Sequence, residues 1–365
     1  MMDEQFTPDW FSKPGDSLRS LIQRRGVAPG DLAQKLEGGM TVVRGILDGS
    51  VSIDLDKAKA LAETIGGTSD FWLKRQTNYD VALERAVCLA TEYEADEWLG
   101  RVSSPGAKSR GRLSEAKRRE EIRKRLVFFN VANMKAWEAR YGRLRDYTRF
   151  RTSASFTSKN SAVLLWLRRG ELEAGLVPTR TWSPDELRDR LEAIRKLCKV
   201  SRPIRFLPKL KELFAEAGIA LVIVSAPKGC YASGASMLVA PDRAMILLSF
   251  RYRADDQFWF TVFHEIGHLL LHGAQTFVDD ESAPDDKSER EANDFASSCI
   301  IPEARKVEFD HLSANRDAIM RFSVSIGVSP GLIVGQMQHR RVIAHNSLNS
   351  LKRHWTWTDI EPALT

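Results

Sequence analysis

Cysteine is scarce: the 365 residues hold four, Cys88, Cys198, Cys230 and Cys299, with no C-x-x-C pair among them. That spacing excludes a disulfide scaffold and a zinc knuckle, and leaves reduced, mostly buried thiols. Long apolar runs are missing too. Stretches such as Ile219 to Val224 fall far short of the roughly 18 residues that cross a bilayer. The opening Met1-Met2-Asp3-Glu4-Gln5 is acidic and no apolar segment follows it, so no secretory signal is visible and the expected address is the cytoplasm. Histidine is sparse at seven residues, which makes any cluster of it informative.

What is present suffices for several folded units. The chain is 43% apolar and 28% charged, a composition that buries sizeable cores. At about 150 residues per domain its length predicts two or three. The net charge of +6 is unevenly spread, with ten Lys or Arg against three Glu between Arg101 and Leu126. That segment reads as a solvated helix and linker, with a phosphate-contacting arm as the alternative.

Residues 1–82 are predicted to be all-helical, with helices over Asp16–Arg25, Asp31–Leu36, Met40–Leu47, Asp54–Ile65 and Ser69–Tyr79. The second and third are joined by Gly38-Gly39, the spacing of a helix-turn-helix. Lys35 is the candidate phosphate contact, and Thr41 and Arg44 are the candidate base contacts. Gly45 lies inside the third helix, where glycine costs about 1 kcal/mol relative to Ala. Residues 83–180 form a basic helical middle, with helices over Leu126–Tyr141 and Ser158–Leu176. A capping box with proline at the first helical position, Ser183-Pro184-Asp185-Glu186, marks a fresh start. Helices at Pro184–Cys198 and Leu207–Ala217 then lead to a strand at Ile219–Val224 and a hairpin of Ala235–Ala240 with Ala244–Phe250. Helices at Asp256–Leu271 and Ser288–Ile301 close a core at 181–302, and 303–365 is a helical extension packed on it. The fold class is α+β, multidomain. The stretch Ile326 to Met337 mimics a second helix-turn-helix and reads as a structural helical hairpin.

The chemistry sits in His264-Glu265-Ile266-Gly267-His268. Residues four apart share a helix face, so both imidazoles can reach one ion while Glu265 lies beside its open position. This is the H-E-x-x-H of zinc hydrolases, and Glu265 is the candidate general base. A catalytic zinc needs a third protein ligand. A histidine ten residues after the first is excluded, because position 274 is Ala. The better candidate is Glu289 of the next helix, which shares a face with Asn293, whose amide can hydrogen-bond a ligand imidazole. Glu291, about 160° round that helix from Asn293, is the runner-up. His272 lies a turn beyond His268 and fits a role behind the ligands better than one as a third ligand. The strand Met245 to Ser249 is expected to line the cleft and hold an extended peptide. Tyr231 and Tyr252 are weak candidates for oxyanion stabilisation.

Two resemblances rest on these residues. Residues 201–302 resemble the ImmA/IrrE family of zinc-dependent endopeptidases through Asp256 to His268, Leu271-His272-Gly273, Glu289 to Ala296 and Ile301-Pro302. The resemblance implies a zincin-like fold, zinc held by His264, His268 and Glu289, and cleavage of helix-turn-helix repressors in stress, phage-related or mobile-element regulation. Residues 12–82 resemble the lambda-repressor-type domain of HigA-like antitoxins through Pro14-Gly15, Leu32-Ala33, Ile46-Leu47-Asp48-Gly49, Ala58 to Ile65 and Phe71-Trp72-Leu73. That implies DNA as a partner, and a homodimer is compatible with it. The expected function is a zinc endopeptidase, coupled to a DNA-binding or antitoxin-like module, that cleaves a regulatory protein. The alternative is a transcription regulator whose peptidase-like part senses a ligand or partner and cuts nothing.

Overall fold

The computed structural model describes residues 11–105, 113–149, 158–273, 277–280 and 287–363. The chain divides into two compact units, Met1–Pro178 and Thr179–Thr365. Among the described residues no single helix is long and apolar enough to cross a membrane.

The first unit is helical. Helices α1 (Pro14–Arg25), α2 (Pro29–Lys35), α3 (Gly39–Asp48) and α4 (Leu55–Thr64) enclose Leu18, Ile22, Leu32, Val43, Ile46 and Leu61. Gly45 has a packing reason: a Cβ there would lie 2.3 Å from Val51 Cγ2. The turn after α3 folds back so that Val51 N–H donates to the Gly45 carbonyl at 3.0 Å, and only glycine leaves room for it. Helix α5 (Ser69–Tyr93) runs well past the predicted end at Tyr79 and passes unbroken through residue 82. Its stripe of Leu83, Ala86, Val87 and Ala90 continues the apolar face and is buried. A single helix therefore bridges the boundary expected at residue 82.

Helices α6 (Ala95–Arg101), α7 (Glu115–Phe129), α8 (Met134–Arg149) and α9 (Ser158–Ala174) complete this unit. The single helix predicted over Leu126–Tyr141 is two, because Asn130 adopts φ 54° and its Nδ2 donates to Asp16 Oδ2 at 3.0 Å. Asparagine tolerates that left-handed conformation and ends α7. Four arginines of α7 are paired within the unit: Arg118 with Asp96 at 2.9 Å, Arg119 and Arg123 with Glu84, and Arg125 with Glu121 at 2.8 Å. The basic helix is thus bound to its neighbours by charge, and the linker at 106–112 lies outside the described residues.

The second unit begins with α10 (Pro184–Leu197), whose Ser183 Oγ accepts from Glu186 N–H at 3.2 Å, and α11 (Pro203–Glu216), which starts a turn earlier than predicted. Strands β1 (Ile219–Ile223), β2 (Ala232–Ala240), β3 (Arg243–Leu248) and β4 (Phe277–Asp280) form one sheet in the order β1-β3-β2-β4. β1 runs parallel to β3, and β2 is antiparallel to both β3 and β4. β3 is therefore central, with both edges already hydrogen-bonded. This overturns the expectation that Met245 to Ser249 would take an extended peptide, since a strand flanked on both sides has no edge to offer. β4 has no counterpart among the strands expected from the sequence.

Helix α12 (Asp255–Leu271) packs on this sheet and α13 (Lys287–Ile300) packs on α12. Beyond them lie α14 (Lys306–Asp310), α15 (Arg316–Ile326), α16 (Pro330–His339) and α17 (Trp357–Ile360). α15 and α16 meet at 111°, and their Ile319, Phe322, Leu332 and Ile333 share one core with Phe206, Ile246, Trp259 and Phe263. The residues after 302 are part of this core. They also anchor the start of α12: Ser329 Oγ donates to Asp255 Oδ2 at 2.6 Å, and Lys352 Nζ pairs with buried Asp256 Oδ2 at 2.6 Å. Removing one partner of such a pair strands a buried charge. Lys352→Met is therefore expected to destabilise this unit by about 3–5 kcal/mol, read as a shifted urea midpoint. Asp256→Leu added to it should recover part of the loss, and a double variant no better than the single would show that the charge pair is not the cause.

Candidate metal centre

Every residue of α12 from Thr261 to Leu269 is buried. Val262, Phe263 and Ile266 join the apolar core, which leaves His264, Glu265 and His268 on the remaining surface, between β2 and α13. Burying three such side chains is costly unless they are engaged. The two imidazoles converge, His264 Nε2 lying 2.9 Å from His268 Nε2. Glu289 on α13 brings Oε2 to 3.3 Å from His264 Nε2 and Oε1 to 3.7 Å from His268 Nε2. These ligand atoms all lie within 4.8 Å of one another. Zinc bonds of about 2.0–2.1 Å at tetrahedral angles put ligand atoms about 3.3 Å apart, so the donor set fits such an ion.

The far side of each imidazole is held as well. Asn293 Oδ1 lies 3.0 Å from His264 Nδ1, and as an amide oxygen it only accepts, so the proton sits on Nδ1 and the Nε2 lone pair faces the cluster. His268 Nδ1 lies 3.1 Å from His272 Nδ1, and His272 Nε2 lies 3.0 Å from Glu291 Oε2. For His268 to offer its own Nε2 lone pair, its Nδ1–H must donate to His272, whose Nε2–H then donates to the Glu291 carboxylate. The structure thus places Asn293 and His272 behind the two histidines. Glu291, the runner-up for third ligand, instead ends the chain of hydrogen bonds behind His268. The four-residue offset of His268 and His272 is visible in the sequence, but the pairing of Glu291 across two helices is not.

The charges agree with this arrangement. Burial pushes the His268 imidazole below its ordinary value, which keeps it neutral at pH 7. Burial pushes Glu289 up, but the close approach of His264 and His268 outweighs it and holds the carboxyl well below the usual range. The hydrogen bond from His272 likewise lowers Glu291. Glu291→Ala, which removes the end of the chain of hydrogen bonds, is expected to weaken zinc binding by about 10–100-fold while leaving its stoichiometry intact. A chelator-competition titration measures this, and an unchanged affinity would remove Glu291 from the site.

Glu265 is fully buried against β2. A Cβ at Gly234 would come within 2.5 Å of its Oε1, so the glycine lets the strand approach the carboxylate. Neither Gly234 nor Thr261, one turn before Glu265, stands out in the sequence. Tyr231 and Tyr252 flank the guanidinium of Arg251, at 4.9 and 5.0 Å from its centre. In the first unit Lys35 and Thr41 are exposed, whereas Arg44 is engaged by Glu173 of α9 at 3.1 Å. Glu173 also holds Arg169, at 3.1 Å.

A peptidase-family model described as the IrrE N-terminal-like domain matches residues 227–334. The match contains the whole cluster and its hydrogen-bonded partners, and it does not reach residues 12–82. No curated protein matches the chain.

Proposed function

We propose that this chain is a zinc-dependent endopeptidase whose metal is held by His264, His268 and Glu289. The observation that carries the reading is their convergence, with ligand atoms within 4.8 Å of one another and Glu265 buried alongside. Zinc, when bound, would lower the pKa of a water toward about 7 and polarise a carbonyl. The remaining steps belong to the chain's own residues. Asn293 and His272 hold the imidazoles in the tautomer that faces the cluster. Glu265 takes the proton of the attacking water and delivers it to the leaving nitrogen, restoring its own carboxylate. An extended peptide would add to β4, the sheet edge on the α12 side, rather than to β3.

We further infer that the substrate is a regulatory protein of the helix-turn-helix repressor type, cut in the cytoplasm. The support is the H-E-x-x-H site together with the repressor-like sequence pattern of residues 12–82, where Lys35 and Thr41 remain available to DNA. The test is incubation of the zinc-loaded protein with candidate repressors and with an unfolded protein, followed by identification of new N-termini. Cuts in a repressor support the full reading. Cuts only in the unfolded protein keep the peptidase and sink the substrate, and no cuts in either sink both.

A further inference from the structure

A shallow cleft, open to solvent, lies on the β2 side of α12, one helical turn before Glu265. It is bounded by Ser233, beside Gly234, and by Thr261, one helical turn before Glu265; the Thr261 methyl and the Glu265 carboxylate both lie against Gly234. Its rim is the loop between β3 and α12, which supplies Arg251, Tyr252 and Arg253. Among the described residues that line it there are two cations and no carboxylate.

The loop is held in place. Phe250 and Arg253 both adopt left-handed backbone, at φ 52° and 51°, a conformation that costs energy in non-glycine residues and persists only where the surroundings impose it. Phe250 stacks on Phe258 with ring centroids 4.4 Å apart. Ser249 Oγ donates to the Ala232 carbonyl at 2.8 Å, and Trp355 N–H donates to the Arg253 carbonyl at 2.8 Å. The Arg251 guanidinium lies over the Tyr231 and Tyr252 rings and donates to the Tyr231 carbonyl, contacts that fix its orientation while leaving its charge intact. A positioned guanidinium is suited to a carboxylate, which it can meet through two parallel hydrogen bonds.

We propose that this cleft binds an Asp or Glu side chain of the substrate next to the scissile bond, and that Arg251 is the residue that selects it. The proposal rests on the peptidase reading for the position of the scissile bond, although the recognition itself does not need turnover. The test uses zinc-loaded full-length Glu265→Gln protein to retain a random octapeptide pool, with the retained peptides sequenced by mass spectrometry. Asp and Glu are expected to be enriched about tenfold over Asn and Gln. Arg251→Gln and Arg251→Glu should each abolish the enrichment, and Arg180→Glu, an exposed charge change elsewhere in the same unit, should preserve it. Absence of enrichment, or its survival in both Arg251 variants, overturns the proposal. Cleavage of the same pool by the wild type is scored separately. Acid-selective retention without any cutting means that the cleft stands and the peptidase reading falls, whereas cutting without acid-selective retention means the reverse.

Discussion

Elemental analysis of the purified protein is expected to find about one zinc per chain, and none in His264→Ala or Glu289→Ala. Each variant leaves two protein ligands where a stable site of this type uses three. Glu289 supplies the only carboxylate of the cluster, and its removal also takes away the charge that the buried cation needs. Full zinc occupancy in Glu289→Ala would transfer the third ligand elsewhere, and no zinc in the wild type would end the metal reading. The acid side of the pH dependence has a definite sign. The depressed His268 value means that its proton competes with metal only below the ordinary imidazole range, and Glu289 stays ionised further down still. For the metal-free protein both shifts act the same way. The unfolded chain binds more protons than the folded one below pH 6.5 at His268 and below 4.5 at Glu289, so stability falls as pH falls through those windows. Chemical denaturation between pH 7 and 4 measures it, and stability that rises on acidification would contradict both assignments.

Local features of the chain are legible in the sequence, and contacts between distant segments are not. The capping box at Ser183, the hairpin around Asp242 and the helix bearing His264 and His268 can each be read within a window of a few residues, because caps, turns and a 3.6-residue period are local. The end of α7 at Asn130 escapes such a window, since a polar residue in a left-handed conformation looks like any other position in an amphipathic run until its partner, Asp16, is known. The sheet order escapes it for a related reason. Strand propensity and the turn give β1 and the β2–β3 hairpin, but not the parallel pairing of β1 with β3 or the edge strand β4, so β3 reads as an open edge although β1 and β2 flank it. At the centre itself the i, i+4 histidines and the adjacent glutamate are a property of one helix, whereas the roles of Glu289 and Glu291 depend on how α13 is rotated against α12. Their offset of two residues puts them on opposite sides of α13, one toward the histidine pair and one toward His272. The anchor between Lys352 and Asp256 joins residues far apart in the chain, and no pattern in the sequence announces it.

Glu265→Gln is expected to lower kcat/KM for peptide hydrolysis by at least about 10²–10⁴-fold, the range for loss of general acid–base catalysis, while zinc content and unfolding midpoint stay at wild-type values. Glutamine has nearly the volume of glutamate, so the close approach of Gly234 is preserved, and the ligand set is untouched. What disappears is the ability to accept a proton from water and return it to the leaving nitrogen. Metal content, stability and cleavage must therefore be measured on the same preparation. Loss of cleavage with zinc retained isolates the proton transfer, whereas loss of both would mean that the substitution disturbs the cluster and says nothing about the base. Activity within a few-fold of wild type would assign the base to another group. Under the proposed regulatory role, the same variant separates the two functional classes in the cell: if genes that respond to the wild type respond equally to the variant, cutting is dispensable and the second unit works as a sensor or docking module. A protein that needed only to hold zinc would gain nothing from an ionisable carboxylate buried beside the ligands, where desolvation makes it expensive. That expense is the physical reason for expecting regulation to fail together with hydrolysis.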